Sequence, residues 1–365
     1  MSSGAFRWGV LSTGKICADF ANAIRQLEGH QVSAVISRTR ANAEKFAGAH
    51  CPKGAIALTG LDELETGMVD AVYVGSPNDS HFKDVKALLE KRQPVLCEKS
   101  LTTSMEETDA LVQLAKDKST FLMEGMWTRC FPATIKAREL INQGAIGDIV
   151  KVQAEFGYDI ENGCPASVRG NAKTGGMTMD IGIYLIEKAL LAYPSSHYEC
   201  INTSAVSING ITDGVDLSVS ASVAFRAKSL DFQNFHERQH GGVASLAWTG
   251  LADTPETCSI IGTRGAIIFD TTAHIPPTFL LRQRVSRTEM RETRFDFPPP
   301  PDDKKHNWNY PSSICLQYEA LAVERALRSN LTQAPEWTLD DSVVAHTILH
   351  RLKVYLDSSS NFIID

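Results

Sequence analysis

The sequence predicts an α/β protein: an N-terminal Rossmann doubly wound parallel sheet, then a C-terminal α/β domain with an open, mostly antiparallel sheet. The first third alternates short, nearly continuous apolar runs with segments of helical period, as strands buried on both faces alternate with their crossover helices. Beyond residue 126 the runs lengthen and alternate apolar with polar, as strands with one covered face do. A chain of 365 residues is also longer than one core usually serves, so two domains are expected, over residues 1–126 and 127–365.

Each element follows from its residues. Phe6 to Leu11, Val32 to Ile36, Ala71 to Val74, Val95 to Cys97 and Phe121 to Met123 read as parallel strands. Val85, Leu88 and Leu89 fall at i, i+3 and i+4, and Met105, Thr108, Leu111, Val112 and Ala115 repeat that period with Glu106, Glu107 and Lys116 on other faces. Pro132 to Gln143 is a helix stopped by Gly144. Ile149 to Phe156, Tyr198 to Ile208, Asp216 to Phe225 and Ser259 to Phe269 read as the strands of the second sheet. Four prolines, Pro298 to Pro301, make Phe297 to Asp303 a polyproline loop on the surface. Helices over Ser313 to Arg328 and Asp340 to Tyr355 end the chain.

Composition narrows the function classes. With 43% hydrophobic and 22% charged residues the chain is globular, and no apolar run approaches the ~20 residues that span a bilayer. A formal net charge of −7 leaves no excess of cations for a phosphate backbone, so no nucleic-acid partner is expected. The first residues run into a strand pattern without the charged and apolar regions of a signal peptide, which implies a cytoplasmic protein. Eight cysteines (Cys17, Cys51, Cys97, Cys130, Cys164, Cys200, Cys258, Cys315) with no CxxC pair fit reduced thiols better than disulfides or zinc. His346 and His350 have the spacing of a metal pair but lack a following glutamate or a third ligand, so no metal is expected.

Chemistry gathers at the ends of the first strands. After Leu11 comes Ser12-Thr13-Gly14-Lys15-Ile16-Cys17, in which Ser12, Gly14 and Cys17 take the three places of a G-x-G-x-x-G fingerprint. Small residues in those places let backbone and the following helix N-terminus approach a pyrophosphate. The next strand end reads Ser37-Arg38-Thr39-Arg40, with no acid to hold ribose hydroxyls. A guanidinium there pairs with a 2′-phosphate, so Ser37, Arg38 and Thr39 point to NADP. Ser76-Pro77-Asn78, with His81 beyond, and Glu98-Lys99-Ser100 follow two further strands, at the sheet edge where such folds bind ligands. A lysine there can hold a substrate hydroxyl and depress the pKa of an acid–base neighbour. In Gly175 to Tyr184, Asp180 and Tyr184 stand four apart, on one face if the segment is helical.

On these residues the chain resembles the glucose–fructose oxidoreductase / inositol dehydrogenase (Gfo/Idh/MocA) family, whose Glu-Lys-Pro signature is here Glu98-Lys99-Ser100. Met123-Glu124-Gly125-Met126-Trp127-Thr128-Arg129-Cys130-Phe131-Pro132, together with Tyr184 where the inositol dehydrogenases carry histidine, is similar to the branch of dimeric dihydrodiol dehydrogenase and NADP-dependent D-xylose 1-dehydrogenase. The resemblance implies an NADP-dependent dehydrogenase or reductase acting on CH–OH groups of an aldose or a cyclic trans-dihydrodiol. Tyr184 is then the acid–base group, Lys99 its electrostatic partner and Asp180 an orienting residue. Trp127, Arg129, Phe156 and Tyr158 line the substrate pocket, and Glu98, Lys99, Trp127 and Arg129 border the cofactor. A homodimer joined through the second domain's sheet is also implied. Two other readings share the fold: an NADP-binding regulator without catalysis, which would need neither Lys99 nor Tyr184, and a keto-sugar reductase of the anhydrofructose type.

Overall fold

A computed structural model describes residues 4–160, 175–209, 215–228 and 241–359. Cys164 lies outside them. The chain forms two compact units, the first from residues 1–130 and 299–342, the second from 131–298 and 343–365.

The first unit is built on a six-stranded sheet in the order β3-β2-β1-β4-β5-β6, every pairing parallel. Its strands are β1 (Phe6–Leu11), β2 (His30–Ile36), β3 (Ile56–Leu58), β4 (Ala71–Val74), β5 (Val95–Glu98) and β6 (Leu122–Gly125). Helices α1 (Lys15–Arg25), α2 (Arg40–His50), α3 (Asn78–Glu90) and α4 (Met105–Lys118) connect them. The sheet is α/β as the apolar runs predict, with β3 added. Strand order reverses between β1 and β4, so the loops after Leu11 and Val74 flank the switch point at which such sheets take ligands. Trp8, Phe20 and Tyr73 form the centre of the core, with the Phe20 and Tyr73 rings stacked at 3.8 Å.

Residues 299–342 return to this unit, where the sequence places the whole of 127–365 in the second domain. Asp19, fully buried on α1, is the reason. Its carboxylate accepts from the Asn309 and Tyr310 backbone amides at 3.0 Å and from the Ser313 hydroxyl at 2.6 Å. Arg25 adds an ion pair to Asp303 at 3.1 Å within the stretch that follows the prolines.

The second unit opens with helix α5 (Pro132–Asn142), whose proline stands at the first turn, where no amide is needed. Eight strands follow: β7 (Ile149–Gly157), β8 (Tyr198–Asn209), β9 (Asp216–Ala227), β10 (Gly241–Thr249), β11 (Cys258–Gly262), β12 (Gly265–Phe269), β13 (Thr278–Arg284) and β14 (Met290–Asp296). Their order is β14-β13-β12-β11-β7-β10-β9-β8; β10 pairs parallel to β7 and the other pairings are antiparallel. The single run read as Ser259 to Phe269 is a hairpin, because Thr263-Arg264 between two glycines makes a two-residue turn. A π-helical turn at Thr178–Gly182 leads into helix α6 (Ile183–Ala192), which packs on β7 and β10. Helix α7 (Leu316–Arg328) belongs to the first unit, and α8 (Leu339–Ser359) runs through residues of both. No helix among the described residues is long and apolar enough to cross a membrane.

Candidate active site

In the first unit, β1 delivers Ser12 and Thr13, and α1 begins at Lys15 after Gly14. Ser12 has φ 97°, a conformation that suits glycine, and its hydroxyl accepts from the Gly14 amide at 3.4 Å. Cys17 fills the third place of the fingerprint, and the room it needs comes from another loop. A Cβ on Gly75 would lie 2.5 Å from the Cys17 sulfur, so only glycine after β4 lets the thiol pack there. The thiol sits 3.5 Å from the Gly75 carbonyl oxygen, and burial pushes its pKa up to about 12, which makes it a packing group rather than a nucleophile.

At the end of β2, Thr39 caps α2 by accepting from the Asn42 amide, and Ser37 is half-buried beside it. The two arginines divide. Arg40 donates to the Ala57 carbonyl at 2.6 Å and pairs with Glu63 at 3.1 Å. Arg38 is exposed, and no ion pair to an acid is found for it among the described residues. Glycine at 75, small residues before α1 and an uncommitted guanidinium after β2 fit a dinucleotide carrying a 2′-phosphate.

After β4, the Ser76 hydroxyl donates to Asp84 at 2.7 Å, and Pro77 precedes the first residue of α3, Asn78. His81 is fully buried, its Nδ1 3.0 Å from the Ser100 carbonyl oxygen and its Nε2 2.7 Å from that of Ser76. Burial lowers its pKa, although both carbonyls favour the charged ring. His81 thus lies between the two ligand-edge loops, each ring nitrogen within hydrogen-bond distance of a backbone carbonyl oxygen.

After β5, Glu98 and Lys99 are half-buried, and the Lys99–Ser100 peptide is cis where the family signature has proline. Glu98 accepts a short hydrogen bond from the Tyr73 hydroxyl. Burial raises the Glu98 carboxyl above its ordinary range, while Tyr73 and the Lys99 ammonium pull it down. On α7 lies Glu319, fully buried, its carboxyl raised well above the ordinary carboxylate range by that burial and by Glu98. Glu319 Oε2 and the Glu98 Cα lie 3.5 and 3.4 Å from the point where a side chain on Gly125 would begin. Trp127 and Arg129 are 8% and 4% exposed; Arg129 lies 5.1 Å over the Trp337 ring. The Trp337 indole and the Ser342 hydroxyl both donate to buried Glu124, which also accepts from the Leu101 amide. That hub carries no sequence signal, since its members lie far apart in the chain.

In the second unit, the helical expectation for Asp180 and Tyr184 holds with one difference: Asp180 lies in the π-helical turn and Tyr184 in α6. The turn is fixed from below. The Thr178 amide and hydroxyl both donate to Asp216 at 2.7 Å, and the Trp248 indole donates to the Thr178 hydroxyl at 3.1 Å. Gly176, at φ 99°, is obligatory because a Cβ there would lie 2.1 Å from Asp216. Above the turn, the Tyr158 hydroxyl donates a short hydrogen bond to Asp180. Tyr184, 8% exposed, has the Phe156 ring at 6.1 Å and the His274 ring at 5.3 Å. The structure brings Phe156, Tyr158, Asp180 and Tyr184 near one another. It adds His274 and Glu256, which no motif marks.

The arrangement meets known proteins over its whole length. Residues 6–126 match the model of an oxidoreductase family with an NAD-binding Rossmann fold, and residues 134–268 match the Gfo/Idh/MocA C-terminal domain. The trans-1,2-dihydrobenzene-1,2-diol dehydrogenase of Danio rerio is 33% identical over 350 residues, covering 94% of this chain and 95% of that one. The Homo sapiens enzyme of the same name is 30% identical over 353 residues, 96% of each chain. Among solved structures, a 3-ketoreductase from Actinomadura kijaniata in complex with NADP and TDP-benzene superposes with a TM-score of 0.72 at 22% identity, covering 97% of this chain and 98% of that one. An aldose–aldose oxidoreductase from Caulobacter crescentus reaches 0.75 at 17% identity over the same shares. These folds are alike at identities that speak for architecture alone. By its two domain matches and its full-length relatives, the chain belongs to the Gfo/Idh/MocA oxidoreductase family.

Proposed function

We propose that this protein is an NADP-dependent oxidoreductase that moves a hydride between the nicotinamide and a hydroxyl-bearing carbon of an aldose, D-xylose-like, or of a cyclic trans-dihydrodiol. Residues 1–126 serve the cofactor, and 127–365, apart from the 299–342 segment that packs into the first unit, the substrate. Ser12, Thr13, Gly14, Lys15 and Ile16 receive the pyrophosphate, and Ser37, Arg38 and Thr39 the adenosine 2′-phosphate. Ser76, Pro77 and Asn78 form a further cofactor wall, braced by His81, and Glu98, Trp127 and Arg129 support the edge that carries Lys99. When bound, the nicotinamide supplies the hydride acceptor or donor at its C4.

The chain's own residues then handle the proton. Lys99 polarises the substrate hydroxyl and favours the phenolate of Tyr184, which takes that proton during oxidation and returns it during reduction. A keto sugar is therefore the same chemistry run backwards. Asp180, held by Tyr158, orients the substrate, and Phe156 packs against it. The observation that supports this reading most is the cluster of Asp180, Tyr158 and Phe156 around Tyr184 on a buttressed turn, in a chain of an oxidoreductase family.

The test is NADP+ reduction over a panel of aldoses, inositols and trans-dihydrodiols, with Tyr184→Phe and Lys99→Met beside the unmodified protein. Each variant should lose about 10²–10⁴-fold in turnover, as removal of an acid–base group does, while NADPH binding stays nearly intact. If the two act as a unit, the double variant is little worse than either. Tyr184→Phe keeping more than about a tenth of the activity would assign the proton to another residue.

A further inference from the structure

The stretch that follows β14 has no part in the proposed chemistry. Phe297 to Asp303 carries Pro298, Pro299, Pro300 and Pro301 in a row, and it forms neither helix nor strand. Each proline ring fixes its own φ, and Phe297 to Pro300, each preceding a proline, are held to extended backbone. The run is therefore biased to a polyproline helix, with about three residues per turn. Exposure follows that period: Phe297 and Pro300, three apart, are half-buried, while Pro298 and Pro301, also three apart, are exposed, as is Pro299. Both ends are pinned. The Phe297 amide donates to the Pro277 carbonyl at 2.7 Å, and the Phe297 ring lies 6.2 Å from that of Phe279 at 15° between planes. The Asp303 amide donates to the Gln26 side chain at 2.8 Å, and its carboxylate pairs with Arg25 at 3.1 Å. Between these anchors, no described residue donates a hydrogen bond to the carbonyls of Pro298 to Pro301.

We propose that Pro298 to Pro301 is a docking strip for a proline-reading protein domain with an aromatic-lined groove, which grips the exposed pair Pro298 and Pro301. Grooves of that class take segments with prolines at i and i+3 in the polyproline conformation. Their aromatic rings cover the apolar edge, and an indole N–H or phenol O–H in such a groove needs an acceptor. The strip supplies both the outward pair and unclaimed carbonyl oxygens. Little ordering is left to do on binding, because the rings fix φ and the ends are already held. Asp302 adds a charge beside Pro301: its carboxylate accepts from the Trp308 indole at 2.9 Å, and it forms no ion pair among the described residues, which favours a groove with a basic rim. The inference needs only the strip and stands apart from the choice of substrate.

The probes are an SH3, a WW and an EVH1 domain, each isotope-labelled and titrated with the full chain while its amide spectrum is followed. At least one should bind, with the signals of its aromatic groove shifting or broadening. Pro298→Ala and Pro301→Ala should each weaken that binding by about tenfold, and Pro299→Ala, which leaves the gripped pair in place, by less. NADPH affinity should hold in all three variants, since the strip contains no cofactor residue; a variant that loses it has misfolded, and groove mapping with the unmodified protein then decides alone. Silence from all three domains at about 1 mM protein, the weak end of specific recognition, overturns the inference. So does binding that spares the groove or survives both outer substitutions. A mass by light scattering that halves in Pro298→Ala or Pro301→Ala would give the strip to a second copy of the chain, and overturns it too.

Discussion

Cofactor choice is the sharpest consequence of how the end of β2 is arranged. Arg40 is committed to Glu63 and to the Ala57 carbonyl, so it cannot turn to a phosphate without losing both. Arg38 has no such commitment and is exposed. A unit charge pair at about 4 Å is worth about 1 kcal/mol in water and about 4 at the effective dielectric of a protein surface. A hydrogen bond to a charged group contributes about 1.5–3 kcal/mol net, and exposure with salt screening holds Arg38 to the lower part of that range. Arg38→Ala should therefore weaken NADPH binding about ten- to fiftyfold, at 1.4 kcal/mol per tenfold, and leave NADH within about twofold. Arg40→Ala should leave the preference unchanged. Fluorescence titration of both nucleotides at low and high salt checks this, with the preference for NADPH shrinking as salt rises. Equal affinities in the unmodified protein, or parallel losses for both nucleotides in Arg38→Ala, would refute the assignment of Arg38 to the 2′-phosphate.

Three further outcomes follow from particular residues. Glu319 has a folded pKa above its unfolded one, so its ionisation penalises the fold: the cost is absent below the ordinary carboxylate range and grows as pH rises from there toward the folded value, by up to about 1.4 kcal/mol per pH unit. Glu319→Gln should thus be more stable than the unmodified protein at about pH 8, about three to four units above where the slope begins, and similar at about pH 5, within about a unit of it, and parallel urea melts at the two pH values would count against it. Ser12→Gly relieves a backbone held at φ 97°, worth about 1–2 kcal/mol, against about 0.4–1 lost to the freer unfolded chain; the net gain should raise the melting temperature slightly, and a fall would show that the Ser12 hydroxyl matters more. Val206 and Ile208 are 68% and 64% exposed on β8, and Val243 42% on β10, an apolar face that a second copy would cover. Light scattering should give about twice the 39.9 kDa chain mass, and a mass near 40 kDa at micromolar concentration would contradict it.

The parts of the fold legible in sequence are those whose burial is symmetric. The five parallel strands read from the first third are nearly continuously apolar, broken only by Arg7 and Ser33, because helices cover both faces, and all five are present. β3 has only three residues, Ile56–Leu58, too few to show a pattern. In the second sheet, β10 is rich in Gly, Ala and Ser, which have weak strand preference, and β14 (MRETRFD) is a charged, mostly exposed edge. Both strands owe their existence to their neighbours more than to their own residues, so alternation alone could not find them. The segment 299–342 joins the first unit through Asp19, a buried acid indistinguishable in sequence from a solvated one.

The candidate site divides along the same line. Asp180 and Tyr184 were legible because they share one element, and Glu98-Lys99 because it ends a strand. His274 and Glu256 are paired by loops on either side of the β11–β12 hairpin, and Glu319 meets Glu98 only through tertiary packing. The glycine fingerprint shows why strings fall short. Its third position exists to let a helix pack close to a strand, and here a thiol occupies that position because the glycine has moved to 75. Its first position needs a backbone conformation, and Ser12 adopts it at a cost. A fingerprint is thus a set of packing and conformational demands shared among several loops. Substituting Gly75→Ala should therefore damage the site more than Cys17→Gly, because a Cβ at 75 meets the Cys17 sulfur at 2.5 Å, the Tyr73 ring at 3.1 Å and the Ile16 side chain at 3.2 Å. Cys17→Gly, by contrast, removes only the group that the space at 75 was made for. NADPH titration of the two variants decides it, and the reverse order of damage would mean that Cys17 contributes something other than volume.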